Sequence, residues 1–228
     1  YGDALRLPFV NDDYVFLDAT ARRGFASLWG FERLFFHWWR PWSREWHYWL
    51  LQRIAGASEP LFHLANFALA FAALALFYDL AQALLGRARA AFATAAAAAM
   101  SAWALPLLWA AGAQDLWMIV WSLAALAAWR RGRRAPAFVA YALALASKET
   151  AAPLPLLFVA WDMFVARRAP FVALLRALPA AAIALPWAIA HPHLGGRWLW
   201  HGVVEAAPAS VQLAGPLAFA RSALALVN

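Results

Sequence analysis

From residue 61 onward the chain alternates long apolar blocks with short polar punctuation. The first block, "LFHLANFALAFAALALFYDLAQALL" (61–85), is long enough to cross a bilayer, since about 20 helical residues span its hydrocarbon core. Further blocks run over roughly 90–110, 115–130, 134–148, 150–166 and 172–190, and another begins near Val211. The links between them are of two kinds. Arg87 with Arg89, the "RRGRR" run at 130–134, and Arg167 with Arg168 are basic and contain no acid. The alternate links, "AAGAQD" (110–115) and "SKET" (147–150), carry little or no net charge. Short Arg-rich loops stay cytoplasmic. Keeping all three on that side requires an even number of passes between each pair. The pattern therefore predicts hairpins over 90–130 and 134–166, and it splits 134–148 from 150–166.

Residues 1–60 are different material. Seven arginines face seven acids, and the segment holds six of the fifteen tryptophans, with no stretch apolar enough to span. Tryptophan settles at headgroup level. In "RPWSREWHYWLLQRIAG", Pro41 suits a first helical position and Gly56 a helix stop. Trp42, Trp46, Trp49 and Arg53 then share one face by their three- and four-residue spacing. Short helices lying in the interface are expected. One pass separates this segment from Arg87, which puts it on the outer side with the two neutral turns.

The expected fold is all-α: a polytopic transmembrane helical bundle with an outer-face loop of interfacial helices. Residues 1–60 form that first outer loop, 61–190 hold about six spans, and 191–228 form an outer loop and the start of a further span. Composition agrees. The chain is 65% hydrophobic and 14% charged, with a mean hydropathy of +0.59, against about 45–50% and about 25% for a soluble domain. The net charge of +7 sits largely in links that topology explains, so no nucleic-acid partner is implied. The absence of cysteine excludes a disulfide framework and thiolate metal sites. The chain opens on Tyr1 and stops inside an apolar run, as a segment of a longer protein is expected to do.

The polar residues then concentrate on the predicted outer side. "FVNDDYVF" (9–16) supplies Asp12 and Asp13, and the long loop adds His37, Arg40, Arg44, Glu45 and His47. His63 and Asn66 open the first span, Gln114 and Asp115 one hairpin mouth, and Lys148 and Glu149 the next. His191, His193, Arg197 and His201 follow the sixth span. A carboxylate can take a proton from an attacking hydroxyl, and a second can orient it or hold a metal. Arg and Lys can hold a departing phosphate. A polyprenyl-phosphate sugar fits such a rim, its tail in the bilayer and its head at the surface.

Blander readings stand beside these. Adjacent aspartates in a loop are more often solvated or capping than catalytic. His63 and Asn66 could bond neighbouring helices, and Lys148 and Glu149 could be interfacial snorkelling charges. Asp79 and Asp162, near Arg-bearing links, are expected to be structural partners. The spacing of His191, His193 and His201 matches no strong metal-ligand signature.

Taken in order, "NDDYVF", "WRPWSREWHYWL", "FHLANFAL", "WAAGAQDLW" and "ALASKETAAPLPLL" resemble the GT-C superfamily of membrane glycosyltransferases. The nearest likeness is to the branch of transmembrane and tetratricopeptide-repeat O-mannosyltransferases and their bacterial relatives. Protein O-mannosyltransferases and lipid A aminoarabinose transferases are similar at a greater distance. The resemblance covers about residues 5–165 and implies a further transmembrane helix ahead of Tyr1.

It implies Asp12 as catalytic base, with Asp13 beside it to position the acceptor or a divalent ion, and Asp115 as the second acidic position. Arg40, His63, Asn66, Lys148 and Glu149 become candidates for substrate binding, and Arg40, His63 and Lys148 specifically for the donor phosphate. Gln114 stands where relatives often carry a basic residue. A Mg²⁺ or Mn²⁺ among Asp12, Asp13 and Asp115 is one option and a metal-free base the other. The implied partners are a polyprenyl-phosphate donor, membrane lipid, and an acceptor protein, lipid or glycan. The setting is the inner membrane of a bacterium, with the site facing the periplasm. The rival readings are a transporter or flippase of lipid-linked sugars and a non-catalytic membrane scaffold.

Overall fold

The computed structural model describes residues 2–30 and 38–191, and all regular structure among them is helical. A short 3₁₀ turn, Gly2–Arg6, leads into α1 (Asp12–Ala21). A π-helical stretch, Pro41–Trp46, runs directly into α2 (His47–Ala55). Pro41 starts it, and Gly56 ends it by donating its N–H to the Gln52 carbonyl at 2.9 Å. α1 and α2 are cross-bridged: Thr20 donates to Gln52 Oε1 at 2.9 Å, and Gln52 Nε2 donates to the Leu17 carbonyl at 2.9 Å.

The remaining helices are α3 (Glu59–Leu85), α4 (Arg87–Ala98), α5 (Ala104–Leu108) and α6 (Ala113–Arg130), followed by α7 (Arg134–Leu145), α8 (Leu154–Ala160) and α9 (Pro170–Ala190). Three stretches are long and apolar enough to cross a membrane: Glu59–Leu85, Ala110–Arg130 and Pro170–Ile189. A fourth crossing results if Arg87–Ala98 and Ser101–Leu108, bent by 54°, form one broken span. The block expected at 134–148 stops at Leu145, and the one at 150–166 is α8 continued by a π-helical turn, Trp161–Val165. Both are shorter than a straight crossing requires. The span expected near Val211, with nearly all of the segment 191–228, lies outside the described residues.

The break after α4 falls at Ala99–Met100, where Met100 is extended at φ −69°, ψ 139°. Further on, Pro106 lacks the N–H that would bond the carbonyl of Ala102, which also disfavours one straight helix through 90–110. Trp103 Nε1 instead reaches back to the Ala97 carbonyl at 2.7 Å. Between α3 and α4, Gly86 at φ +78° turns the chain back sharply, a conformation that costs glycine little.

Large apolar side chains point away from the bundle, among them Phe71, Phe92 and Phe171, each more than two-thirds exposed. So much outward apolar surface suits lipid better than water. Inside, Trp129 stacks on Phe158 with ring centroids 4.6 Å apart, beside buried Tyr141 and Leu145. One end of the bundle carries the basic links. Asp79 accepts from Arg130 (2.9 Å) and Arg131 (2.8 Å), and buried Asp162 accepts from Arg176 (2.6 Å) and Trp129 Nε1 (3.2 Å). The other end carries residues 2–30 and 38–58 and the turns at 110–112 and 147–151.

Candidate active site

At that second end, four segments distant in sequence meet around a cavity of about 410 Å³. α1 brings Asp12 and Phe16. The stretch before and within the π-helical turn brings Trp38, Arg40 and Arg44. The start of α6 brings Gln114 and Asp115, and the turn after α7 brings Lys148. Hydrogen bonds fix this convergence: Trp42 N–H to the Ala146 carbonyl (3.2 Å) and Ser43 Oγ to the Ser147 carbonyl (2.6 Å) tie the interfacial helix to the Lys148 turn.

Each cation on the wall is held by a carboxylate. Arg40 grips Glu149 with a two-pronged fork, Nη2 at 2.6 Å and Nε at 3.0 Å, while Nη1 donates to Gln114 Oε1 at 2.8 Å. Its guanidinium also sits 5.0 Å from the centre of the Trp38 ring. Lys148 Nζ lies 2.5 Å from Asp115 Oδ1. Buried Arg44 pairs with Glu45 and donates to the Trp38 carbonyl at 2.8 Å, and Arg23 takes the other oxygen of Glu45 at 3.0 Å. Burial pulls the Arg44 guanidinium below its usual value, an effect that Glu45 opposes.

Asp12 is the exception. Half-buried at the first turn of α1, it lines the cavity with no hydrogen bond or ion pair to any described residue. Asn11 just before it adopts φ +47°, ψ −112°, a sparsely populated conformation that sets the direction of entry into α1.

Asp13, its neighbour, points the other way and is fully buried. Its carboxylate accepts from Tyr48 Oη (2.6 Å), Ala111 N–H (2.9 Å) and Val10 N–H (3.0 Å). Burial pushes this carboxyl above its usual value of 3.8, against the pull of those three donors. The Tyr48 hydroxyl is pushed up in turn by burial and by Asp13.

His63 and Asn66, also fully buried, turn to the backbone of the α5–α6 connection. His63 Nδ1 lies 3.2 Å from the Leu107 carbonyl. Asn66 Nδ2 donates to the carbonyls of Pro106 (2.9 Å), Trp109 (3.0 Å) and Ala110 (3.3 Å). The Trp109 carbonyl also accepts from the Gly112 N–H at 3.0 Å and the Ala110 carbonyl from the Ala113 N–H, so Asn66 adds a side-chain donor to a turn that is already partly bonded.

Asp12, Arg40, Asp115 and Lys148 thus share one cavity, and Glu149 stands behind Arg40. Asp13, His63 and Asn66 hold the wall from behind without lining it. His37, His193, Arg197 and His201 lie outside the described residues, while His191 packs against the rings of Trp187 and Trp38. Sequence reasoning gave no role to Arg44 on the wall or to Tyr48 as the partner of Asp13.

The proposed metal ligands are differently committed. Asp13 spends its carboxylate on three protein donors, and Asp115 is paired with Lys148. Among the described residues no group of three or more His, Asp or Glu takes a metal-holding arrangement. Arg40, Arg44 and Lys148 reach the wall each paired with a carboxylate, and Asp12 is the one carboxylate there without a partner among the described residues. Comparison with protein-family models, with curated proteins and with solved structures finds no match.

Proposed function

We propose that the chain is a membrane glycosyltransferase of GT-C type that moves a sugar from a polyprenyl-phosphate donor to an acceptor hydroxyl. The observation that carries this reading is the unpaired carboxylate of Asp12 on a wall whose cations, Arg40, Arg44 and Lys148, are already fixed in place. Preorganised cations stabilise a developing phosphate charge without reorganising as the reaction proceeds.

In the proposed step, Asp12 removes the proton from the acceptor hydroxyl. That oxygen bonds to the anomeric carbon from the face opposite the phosphate. The bond from the anomeric carbon to the phosphate oxygen breaks, and its electron pair leaves with polyprenyl phosphate, which gains one negative charge. The configuration at the anomeric carbon inverts. Lys148 and Arg40 take up the new charge. Asp115 and Glu149 act as positioning residues, holding Lys148 and Arg40 at the wall.

The placement at the outer, periplasmic face of a bacterial inner membrane rests on charge. Arg87, Arg89, the 130–134 run and the 167–168 pair belong to the end of the bundle away from the cavity. The 54° break between α4 and α5 favours one second reading, a transporter of lipid-linked sugars, because transporters bind substrate at broken helices. Against it, the cavity draws its charged side chains from α1, the stretch 38–44, the start of α6 and the Lys148 turn, and none of its lining comes from the α4–α5 break.

The test uses the full-length protein in membranes with radiolabelled polyprenyl-phosphate sugars and mixed cell-envelope acceptors. Asp12→Asn is expected to lower transfer by about 100- to 10,000-fold, the range for a general base. Undiminished transfer removes Asp12 from the chemistry. Lipid-linked sugar crossing the bilayer with no transfer from any donor puts the transporter first.

A further inference from the structure

At the basic end of the bundle a crevice of about 510 Å³ lies between α3, α6 and α8 with its π-helical continuation. Every residue lining it is aliphatic or aromatic: Leu80 and Leu84 come from α3, Leu123 and Leu126 from α6, and Leu157 and Phe164 from the third side. Leu84, Leu157 and Phe164 are each more than half exposed, so the crevice is open at its rim. Leu85, also in the lining, is the last residue of the apolar stretch Glu59–Leu85, which brings the mouth to the edge of the hydrocarbon layer. Leu126 lies about 16 Å along α6 from Asp115, so this crevice is separate from the cavity of Asp12.

Its walls are held in place by polar contacts behind them. Asp79 on α3 accepts from Arg130 and Arg131 at the end of α6 and ties two of the walls together. The third is shaped by the π-helical turn Trp161–Val165, which puts Trp161, Phe164 and Val165 on the crevice. That turn ends in a hook, with the Ala166 N–H on the Trp161 carbonyl at 3.0 Å and the Arg168 N–H on the Asp162 carbonyl at 2.8 Å. Arg167, inside the hook, is held at φ +54°, a left-handed conformation that costs an arginine energy.

The charge at the mouth is unbalanced. Arg87 follows Leu85 by two residues, and Arg167 follows Val165 by two. Both arginines are exposed, and neither has a hydrogen bond or ion pair with any described residue. The nearby acids are already taken: Asp79 by Arg130 and Arg131, and Asp162 by Arg176 and, at 3.6 Å, Arg168. Topology accounts for arginines in these links. It does not account for an open apolar crevice that ends between two of them, beside a strained backbone. The ligand that meets both features has a long apolar chain ending in a negative head. A neutral lipid would leave the arginines unanswered, and a zwitterionic one brings its own cation to the mouth. A polyprenyl-phosphate donor reacting at Asp12 has its phosphate at the opposite end of the bundle. A phospholipid of the leaflet at the basic end has its phosphate at the level of Leu85 and its acyl chains directly below.

We propose that this crevice binds one anionic glycerophospholipid, with an acyl chain between α3, α6 and α8 and its phosphate at Arg87 and Arg167.

The test places the full-length protein in nanodiscs holding phosphatidylglycerol and phosphatidylcholine of the same acyl chains, extracts it into mild detergent, and reads retained lipid by native mass spectrometry. One phosphatidylglycerol per chain is expected, with phosphatidylcholine retained about tenfold less. Arg87→Gln combined with Arg167→Gln is expected to bring phosphatidylglycerol down to the phosphatidylcholine level. Arg89 and Arg168 remain in those links to hold the orientation. Arg133→Gln combined with Arg134→Gln removes the same charge from the α6–α7 link, which does not line the crevice, and should leave retention unchanged. Ala160→Phe, which fills the crevice, should abolish retention of either lipid. The comparison of lipids on the wild type needs no variant, so it stands even if a variant fails to insert. Equal retention of the two lipids, an equal loss in both arginine pairs, or undiminished retention in well-inserted Ala160→Phe overturns the proposal. Displacement of phosphatidylglycerol by polyprenyl phosphate also overturns it and makes the crevice a site for the donor's tail.

Discussion

Asp12 and Asp13 are adjacent, yet one helical step of about 100° sends them to different tasks. Asp12 faces the cavity, and Asp13 binds the 110–112 turn to α1 and α2. Asp13→Asn keeps an acceptor for Tyr48 and Ala111 but turns an N–H₂ towards the Val10 N–H. A destabilisation of about 1–3 kcal/mol is expected, read as a lower Tm in detergent. His47 supplies a pH dependence. Its folded pKa of about 4 lies below the unfolded 6.5, so the unfolded chain binds the extra proton between them. The contribution of His47 is therefore full above pH 6.5 and is lost as pH falls through 4, by about 3 kcal/mol in all. The drop in Tm of the wild type from pH 7 to pH 4.5 should exceed that of His47→Gln. An equal drop in the two proteins would show that His47 takes its proton as readily when folded. At this scale the sequence was only partly legible. Polar residues at membrane depth announced that His63 and Asn66 had partners, but the partner was backbone some 40 residues away. Nothing in the local pattern of Asp13 points to Tyr48, 35 residues on.

Among the elements, the connection from α5 to α6 decides the shape of the site. Its turn, Ala110–Gly112, is held by Asp13 from one side and Asn66 from the other, and it carries Ala111, Gln114 and Asp115 into the cavity wall. Gly112 is required by close approach. A Cβ there would stand 2.5 Å from Pro106 Cα and 2.6 Å from its carbonyl oxygen, both backbone atoms that cannot swing aside. Gly112→Ala is expected to cost about 1–3 kcal/mol and to reduce transfer by shifting Asp115. Gly24→Ala, which meets open space, is the control and should leave both unchanged. Wild-type Tm and transfer in Gly112→Ala would mean that the turn is free to relax. Some blocks were legible at this level: α3 covers 59–85 against the expected 61–85, and Pro41 and Gly56 bound the helical stretch they were expected to bound, but three described helices, or four with the bent pair, are long and apolar enough to cross where about six spans were expected. Hydrophobic periodicity records burial along one dimension. It therefore missed the break at 99–100, where Met100 leaves the helical conformation inside an apolar block.

For the whole molecule, the separation of a basic end from a cavity end is the feature that charge along the chain foretold. Because the chain contains no cysteine, single substitutions report topology cleanly. Ala57→Cys, exposed at the cavity end, should react with an impermeant maleimide in intact cells. Ala166→Cys, exposed beside Arg167, should react only after permeabilisation. The opposite pattern would invert the orientation and move the cavity to the cytoplasm. What charge and hydropathy left unread was the interlocking of the cations. Arg40 meets Glu149 across 109 residues, and Lys148 meets Asp115 across 33. The central claim is that this fixed cationic wall serves one free carboxylate. Its most direct test is to measure donor binding and single-turnover sugar transfer on the same preparation of Asp12→Asn. Retained donor affinity with transfer slowed about 100- to 10,000-fold is the predicted result. Unchanged transfer, or donor binding lost in step with transfer, would contradict the assignment of Asp12 as the base.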